Sequence, residues 1–121
     1  MTQAQDLGSW GEEEAARYLQ GKGLRLIDRH YQTRWGEVDL IFRDRDTIVF
    51  VEVKTRLHAH QPSALDALTP AKQKKVVSTA LSYMKMKRLA QDNMRFDVVV
   101  LEAGRIEWIP GAFEASLHYT R

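Results

Sequence analysis

Apolar and polar positions change period several times along the chain, and each change marks a predicted element. From about Asp6 to Gly21, Ala15, Ala16 and Leu19 fall at helical spacing behind an acidic first turn. Gly21 and Gly23 stop the run, which predicts a first helix. LRLIDRHY then alternates as a strand. VDLIFR and TIVFVEVK add two more, separated by the polar turn Asp44, Arg45 and Asp46, so a three-stranded meander is expected. The pattern dissolves in RLHAHQPSALDALTP, a polar loop with Pro62 and Pro70 and a short helical turn near Leu65. From Pro70 to about Arg88, Val76, Val77, Ala80, Leu81 and Met84 form one apolar stripe flanked by lysines, which predicts a second helix. RFDVVVLE and RIEWIP read as two last strands around Ala103 and Gly104, ended by Pro110 and Gly111. No repeat, low-complexity tract or linker interrupts this order. The 121 residues are therefore expected to form one α/β (α+β) domain with the order αβββαββ, its tail from about residue 114 too short and mixed to assign.

The strand VFVEVK carries the first chemical signal. All of Val49 to Val53 except Glu52 is apolar, as in a strand buried on both faces. Alternation puts Glu52 and Lys54 on one face with Ile48 and Phe50, while Val49, Val51 and Val53 take the other. An ion left there without a partner costs several kcal/mol, so the site must supply opposite charge, hydrogen bonds or a metal. In GEVDLIF the same alternation places Glu37, Asp39 and Ile41 on one face. A tight two-residue turn is expected to set Asp39 opposite Phe50 and Glu37 opposite Glu52. Asp39 and Glu52 would then be diagonal neighbours with backbones roughly 7 to 8 Å apart. Carboxylates so close raise each other's proton affinity unless a cation sits among them. Hard oxygen donors without histidine or thiolate favour magnesium or manganese over zinc. Such an ion polarises a phosphoryl oxygen and acidifies bound water, and Lys54 on the same face suits charge developing on a phosphate.

Composition narrows the partners. Apolar residues make up 44% and charged residues 28%, as in an ordinary globular chain. The absence of cysteine excludes disulfides, thiolate zinc sites and thiol nucleophiles. The start, MTQAQDLGSWGEEEAARYLQ, has no basic cluster followed by an apolar run, and no stretch approaches membrane-spanning length; the expectation is a cytoplasmic protein with no membrane partner. A net charge of only +2 means that nucleic-acid binding must come from how charge is distributed. Lys72, Lys74, Lys75, Lys85, Lys87 and Arg88 share a segment without acids, while acids gather at Glu12 to Glu14 and around Glu37, Asp39 and Glu52.

In this order, the acid of the first helix, GEVDLI, VFVEVK and TR resemble the YraN family of bacterial proteins. That family looks like the restriction-endonuclease-like, or PD-(D/E)XK, superfamily and is similar to archaeal Holliday junction resolvases. The resemblance runs from GSWGEEEAARYL through GLRLIDRHY, GEVDLIF, VFVEVKTR and the lysine-rich helix to RFDVVV. It implies a central mixed sheet flanked by helices. It also implies Asp39 and Glu52 as metal ligands, Lys54 as the catalytic lysine, Glu12 as a further acid near the metal and Glu37 as an auxiliary ligand. One departure is Val38, which stands where the superfamily signature often has proline.

Each residue also has a plainer role open to it. Glu52 and Lys54 alone would read as a structural ion pair, and Glu12, Glu13 and Glu14 as acids placed at the positive end of a helix. The lysines of the second helix could simply solvate a face. Lys72 and Gln73, at the helix start, are the better phosphate candidates, and Lys85, Lys87 and Arg88 read as surface. Arg56 follows Lys54 closely enough to reach a phosphate. Arg34 is placed to contact backbone beside Trp35, which suits either base stacking or an edge of the core. His58 and His60, in a proline-bounded loop, are a poor zinc pair, and Trp108 and Phe113 read as packing. The leading expectation is a magnesium- or manganese-dependent endonuclease acting on structured or branched DNA, the branched preference coming from the resemblance alone. The alternative is a non-catalytic nucleic-acid-binding or adaptor module on the same fold. A homodimer that sets two sites against two strands fits the resolvase resemblance, although no apolar stripe demands it.

Overall fold

The structure, a computed structural model, describes residues 3–56 and 68–115, with side chains from residue 8 onward. The expected order αβββαββ is present: α1 Gln3–Gly21, β1 Arg25–Thr33, β2 Gly36–Asp44, β3 Thr47–Arg56, α2 Pro70–Met86, β4 Asn93–Glu102 and β5 Arg105–Phe113. The strands form one mixed sheet in the order β1-β2-β3-β4-β5, parallel only between β3 and β4. That parallel pair needs a crossover, and α2 supplies it.

β3 is buried on both sides, as its near-continuous apolar run requires. Val49 and Val51 pack with Ala15, Ala16 and Leu19 of α1, while Ile48 and Phe50 pack with Val76, Val77 and Ala80 of α2. Each helix thus covers one face of the sheet. Among the described residues no helix is long and apolar enough to cross a membrane.

Three details of α2 differ from the periodic reading. Its inner stripe is Val76, Val77, Thr79, Ala80, Tyr83 and Met84, whereas Leu81 is exposed. Tyr83 is buried because its ring meets Tyr31 and Phe50 edge-on, with centroids 5.1 and 5.8 Å apart. The helix also stops before Arg88. Lys87 caps it, Arg88 turns left-handed at φ 58, and the Leu89 amide donates to the Met84 carbonyl at 2.8 Å. At the other end, Thr69 caps the helix by accepting from the Lys72 amide.

The last strand does not end at Pro110 and Gly111. It bulges there and pairs again at Phe113, opposite Phe96. The bulge wraps a buried acid. Asp97, 1% exposed, accepts from Arg95 Nε and Nη2, Trp108 Nε1 and the Gly111 amide at 2.9 to 3.0 Å. The expected loop around Pro62 and Leu65, the His58 and His60 positions and the tail from residue 116 lie outside the described residues.

Candidate active site

The β2–β3 turn is a two-residue loop, but its loop residues are Arg45 and Asp46, so Asp44 pairs with Thr47 and Ile41 with Phe50. This corrects the expected register by two positions. Asp39 does not lie opposite Phe50, nor is Glu37 set by that count against Glu52; continuing the observed count would bring Asp39 beside Glu52. The ladder stops before that point, at Leu40 and Val51. Beyond it the Val53 amide donates to Asp39 Oδ2 at 2.8 Å, a side-chain bond where a backbone bond would otherwise stand. β2 stays paired with β1 to Thr33 and Gly36, and β3 stays paired with β4 to Arg56 and Glu102. A gap therefore opens inside the sheet between β2 and β3, and the acids stand around it.

The alternation assumed for β2 also breaks at this place. Ile41 and Val38 pack on the α2 side, whereas Leu40 and Phe42 pack on the α1 side, so the strand changes face around Asp39. Across from Asp39 in the hairpin, His30 has φ 51. A left-handed residue inside a strand is uncommon outside glycine, and histidine tolerates it better than most. The turn aims the imidazole at two acids: Nε2 lies 2.9 Å from Glu12 Oε1 on α1, and Nδ1 lies 3.6 Å from Glu37 Oε2 on β2.

α1 comes close because of a glycine. A Cβ at Gly11 would collide with Thr55 Oγ1 of β3, so hydrogen at that position lets the helix settle onto the strand and brings Glu12 to the gap. Arg29 holds the same helix by an ion pair with Glu13. On the opposite side, the hairpin is fixed to α2. Thr33 Oγ1 and buried Thr79 Oγ1 are 3.2 Å apart, Thr79 donates to the Lys75 carbonyl at 2.9 Å, and Tyr31 and Ser82 hydroxyls are 3.1 Å apart.

The electrostatics follow from burial. Burial first, and then the charge of Asp39, push the Glu52 carboxyl up to about 8, with Lys54 pulling the other way. Burial raises the Asp39 carboxyl as well, against the Val53 hydrogen bond. Burial and the nearby Asp39 raise Glu12, against the pull of His30. Glu52 Oε1 is buried with no hydrogen-bond partner among the described residues, a costly condition for an acceptor.

Each predicted residue has a definite place. Glu12, Glu37, Asp39, Glu52 and Lys54 come together within electrostatic reach. Glu37, Glu52, Lys54 and Lys72 line one open groove of about 170 Å³, together with Lys75. Gln73 turns its amide inward, donating to the Leu68 carbonyl at 2.9 Å. Arg56 lies elsewhere, 3.5 Å from Glu102 in a cavity shared with Trp10 and Glu14. Arg34 sits at the exposed β1–β2 tip, its guanidinium 4.7 Å from the Trp35 ring centre.

Sequence reasoning passed over His30 and left Lys75 undistinguished among the lysines of the second helix. Lys75 was legible as the residue one turn beyond Lys72 on the same helix. His30 was legible from the hairpin: a two-residue loop at Arg34 and Trp35 pairs Thr33 with Gly36, and the same count sets His30 across from Asp39.

The donors here are oxygens of partly buried carboxylates whose proton affinity burial raises, one of them with an unused lone pair, and this chemistry suits a hard divalent cation. Among the described residues no three histidine, aspartate or glutamate side chains converge as a finished ligand set. Asp39 and Glu52 could hold such an ion only with oxygens from water or a phosphate completing its shell, as is usual for magnesium.

A family model described as "Uncharacterised protein family UPF0102" matches residues 11–101, which spans every residue of this site. The chain is 39% identical over 114 residues to a UPF0102 protein of Herminiimonas arsenicoxydans, covering 94% of this chain and 91% of that one. It is 45% identical over 118 residues to a UPF0102 protein of Syntrophus aciditrophicus, covering 94% and 93%. A UPF0102 protein of Geobacter sulfurreducens is 44% identical over 113 residues, covering 89% and 88%.

Proposed function

The chain belongs to the uncharacterised protein family UPF0102, and we propose that it is a magnesium- or manganese-dependent nuclease hydrolysing a phosphodiester bond in structured or branched DNA. The observation that carries this reading is the partly buried Glu52 carboxylate, whose Oε1 is buried and unpartnered, beside Asp39 and in one groove with Lys54, Lys72 and Lys75. A structural acid would have its acceptors filled.

Asp39 and Glu52, with Glu37, are the residues that would hold the ion. When bound, it supplies a polarised phosphoryl oxygen and a more acidic water. The chain's own groups do the rest. Lys72 and Lys75 draw the phosphate backbone into the groove, a salt-sensitive attraction. Lys54 Nζ offsets negative charge that grows on the phosphate as the bond to the attacking oxygen forms. Glu12, whose proton affinity burial has raised, is placed to take or return a proton through its Oε2 while Oε1 faces His30.

Calorimetric titration of manganese into wild-type protein and Asp39→Asn tests the site, because asparagine still accepts the Val53 amide and the fold is preserved. Wild type is expected to bind and the variant to lose binding. With manganese present, wild type is expected to nick branched DNA, and Lys54→Ala to cut about 10² to 10³ times more slowly. Cleavage unchanged in both variants would remove the site from the chemistry. DNA binding without turnover would move the protein to the non-catalytic binding module.

A further inference from the structure

The β1–β2 tip carries an exposed aromatic held in place from behind. Trp35 keeps 47% of its surface exposed, and the Arg34 guanidinium lies over its ring at 4.7 Å. The Trp35 amide donates to Thr33 Oγ1 at 3.1 Å, Thr33 Oγ1 meets Thr79 Oγ1 at 3.2 Å, and Thr79 is fully buried on α2. An apolar side chain of this size gains nothing by standing in water on an anchored turn. The next two residues, Gly36 and Glu37, already line the groove with Glu52, Lys54, Lys72 and Lys75. A planar surface with a cation on one face, next to lysines and a carboxylate cluster, has the chemistry that stacks a nucleobase while its phosphate is held nearby.

We infer that Arg34 and Trp35 stack one unpaired nucleotide beside the carboxylates, so that the site takes DNA with an unpaired end or gap in preference to continuous duplex. A paired base is already stacked on its neighbours and offers no free face, so the platform discriminates by strandedness, with sequence playing little part. Trp35 is therefore a specificity-determining residue. This inference rests on the nucleic-acid half of the proposed function and is independent of whether the bond is cut.

The test is fluorescence anisotropy of full-length protein in chelator at low salt, with a short blunt DNA duplex and the same duplex carrying a single-stranded tail. Wild type is expected to favour the tailed probe by roughly 5- to 150-fold. Trp35→Ala is expected to erase that ratio while keeping duplex affinity, and Trp35→Phe to retain most of it. Because duplex binding is measured in the same variant, a folding defect would show as loss of both. An unchanged ratio in Trp35→Ala, or no preference in wild type, would overturn the inference. Tail preference dependent on Trp35 in a protein that cuts nothing with manganese would uphold it and sink the hydrolytic reading; failure of wild type to bind either probe would sink both.

Discussion

Two acids with buried oxygens, Asp97 enclosed entirely and Glu52 in part, sit on the same sheet and are treated in opposite ways. Asp97 on β4 has donors on both oxygens: a two-pronged guanidinium from Arg95, an indole N–H and a backbone amide, and Arg95 is tied on to Asp44 at 3.2 Å. Glu52 on neighbouring β3 has an oxygen with no donor, and its nearest charges include the like-signed Asp39. The first arrangement repays the loss of water with hydrogen bonds and opposite charge. The second leaves the cost standing, which a fold tolerates where the unspent acceptor has another use. Burial alone therefore does not separate a structural carboxylate from a functional one; the count of donors does.

The largest expected effect breaks the satisfied side. Asp97→Ala leaves Arg95 Nε and Nη2, the Trp108 N–H and the Gly111 amide without their acceptor, with only Asp44 still paired to the guanidinium, and urea unfolding should show a loss of about 3 to 5 kcal/mol. Asp97 is thus expected to be a stability residue, with manganese affinity little changed in whatever protein remains folded. The unsatisfied side is expected to respond to pH. Glu52 retains its proton in the folded chain up to about 8 and loses it near 4.5 when unfolded, so the folded state binds more protons between those values. Stability should fall as pH rises through that window and level off above it, by about 2 to 4 kcal/mol, with Asp39 and Glu12 adding in the same direction. Glu52→Gln should remove most of the slope in denaturation curves taken across the window; an undiminished slope would assign it to Asp39, Glu12 or another group.

Smaller changes sharpen the contrast. Thr79→Val removes the hydroxyl between Thr33 and the Lys75 carbonyl and should cost about 1 kcal/mol in the same assay, because both former partners lose a bond. Glu13→Ala breaks a solvent-exposed ion pair with Arg29 and should stay within about 0.5 kcal/mol, a control showing that charge near the site is not itself the source of stability.

The order of elements was legible because each apolar run has one clear period, and β3 was legible as a central strand because Val49, Val51, Ile48 and Phe50 leave no polar face. The membership of Asp39, Glu52, Lys54, Glu37 and Glu12 in one cluster was likewise readable from charge in apolar surroundings together with the family resemblance. The geometry was less so. Register depends on which residues of Asp44, Arg45 and Asp46 form the loop, and Arg45 takes the left-handed conformation at φ 59 without the glycine that usually announces it. Alternation failed at Asp39 because the strand turns over where it leaves β3, an event set by a side-chain hydrogen bond to Val53 that no periodicity encodes. Leu81 looked like core for the same reason: the helical period admits two adjacent stripes, and Tyr83 with its two aromatic neighbours decided between them.

The bulge at Pro110 and Gly111 has a consequence beyond holding Asp97. β5 is an outermost strand of the sheet, and an unbroken outer strand offers its free amides and carbonyls as a template for other chains. Here proline removes one donor, and the Gly111 amide is already turned inward to a carboxylate. β1, at the far side, is interrupted in its turn by the register shift between Leu26 and Asp28 and carries Arg25, Asp28 and Arg29. Both margins of the sheet thus resist the edge-to-edge strand recruitment that begins fibrillar aggregation, and the same irregularity that locks a buried acid helps to keep the chain colloidally stable.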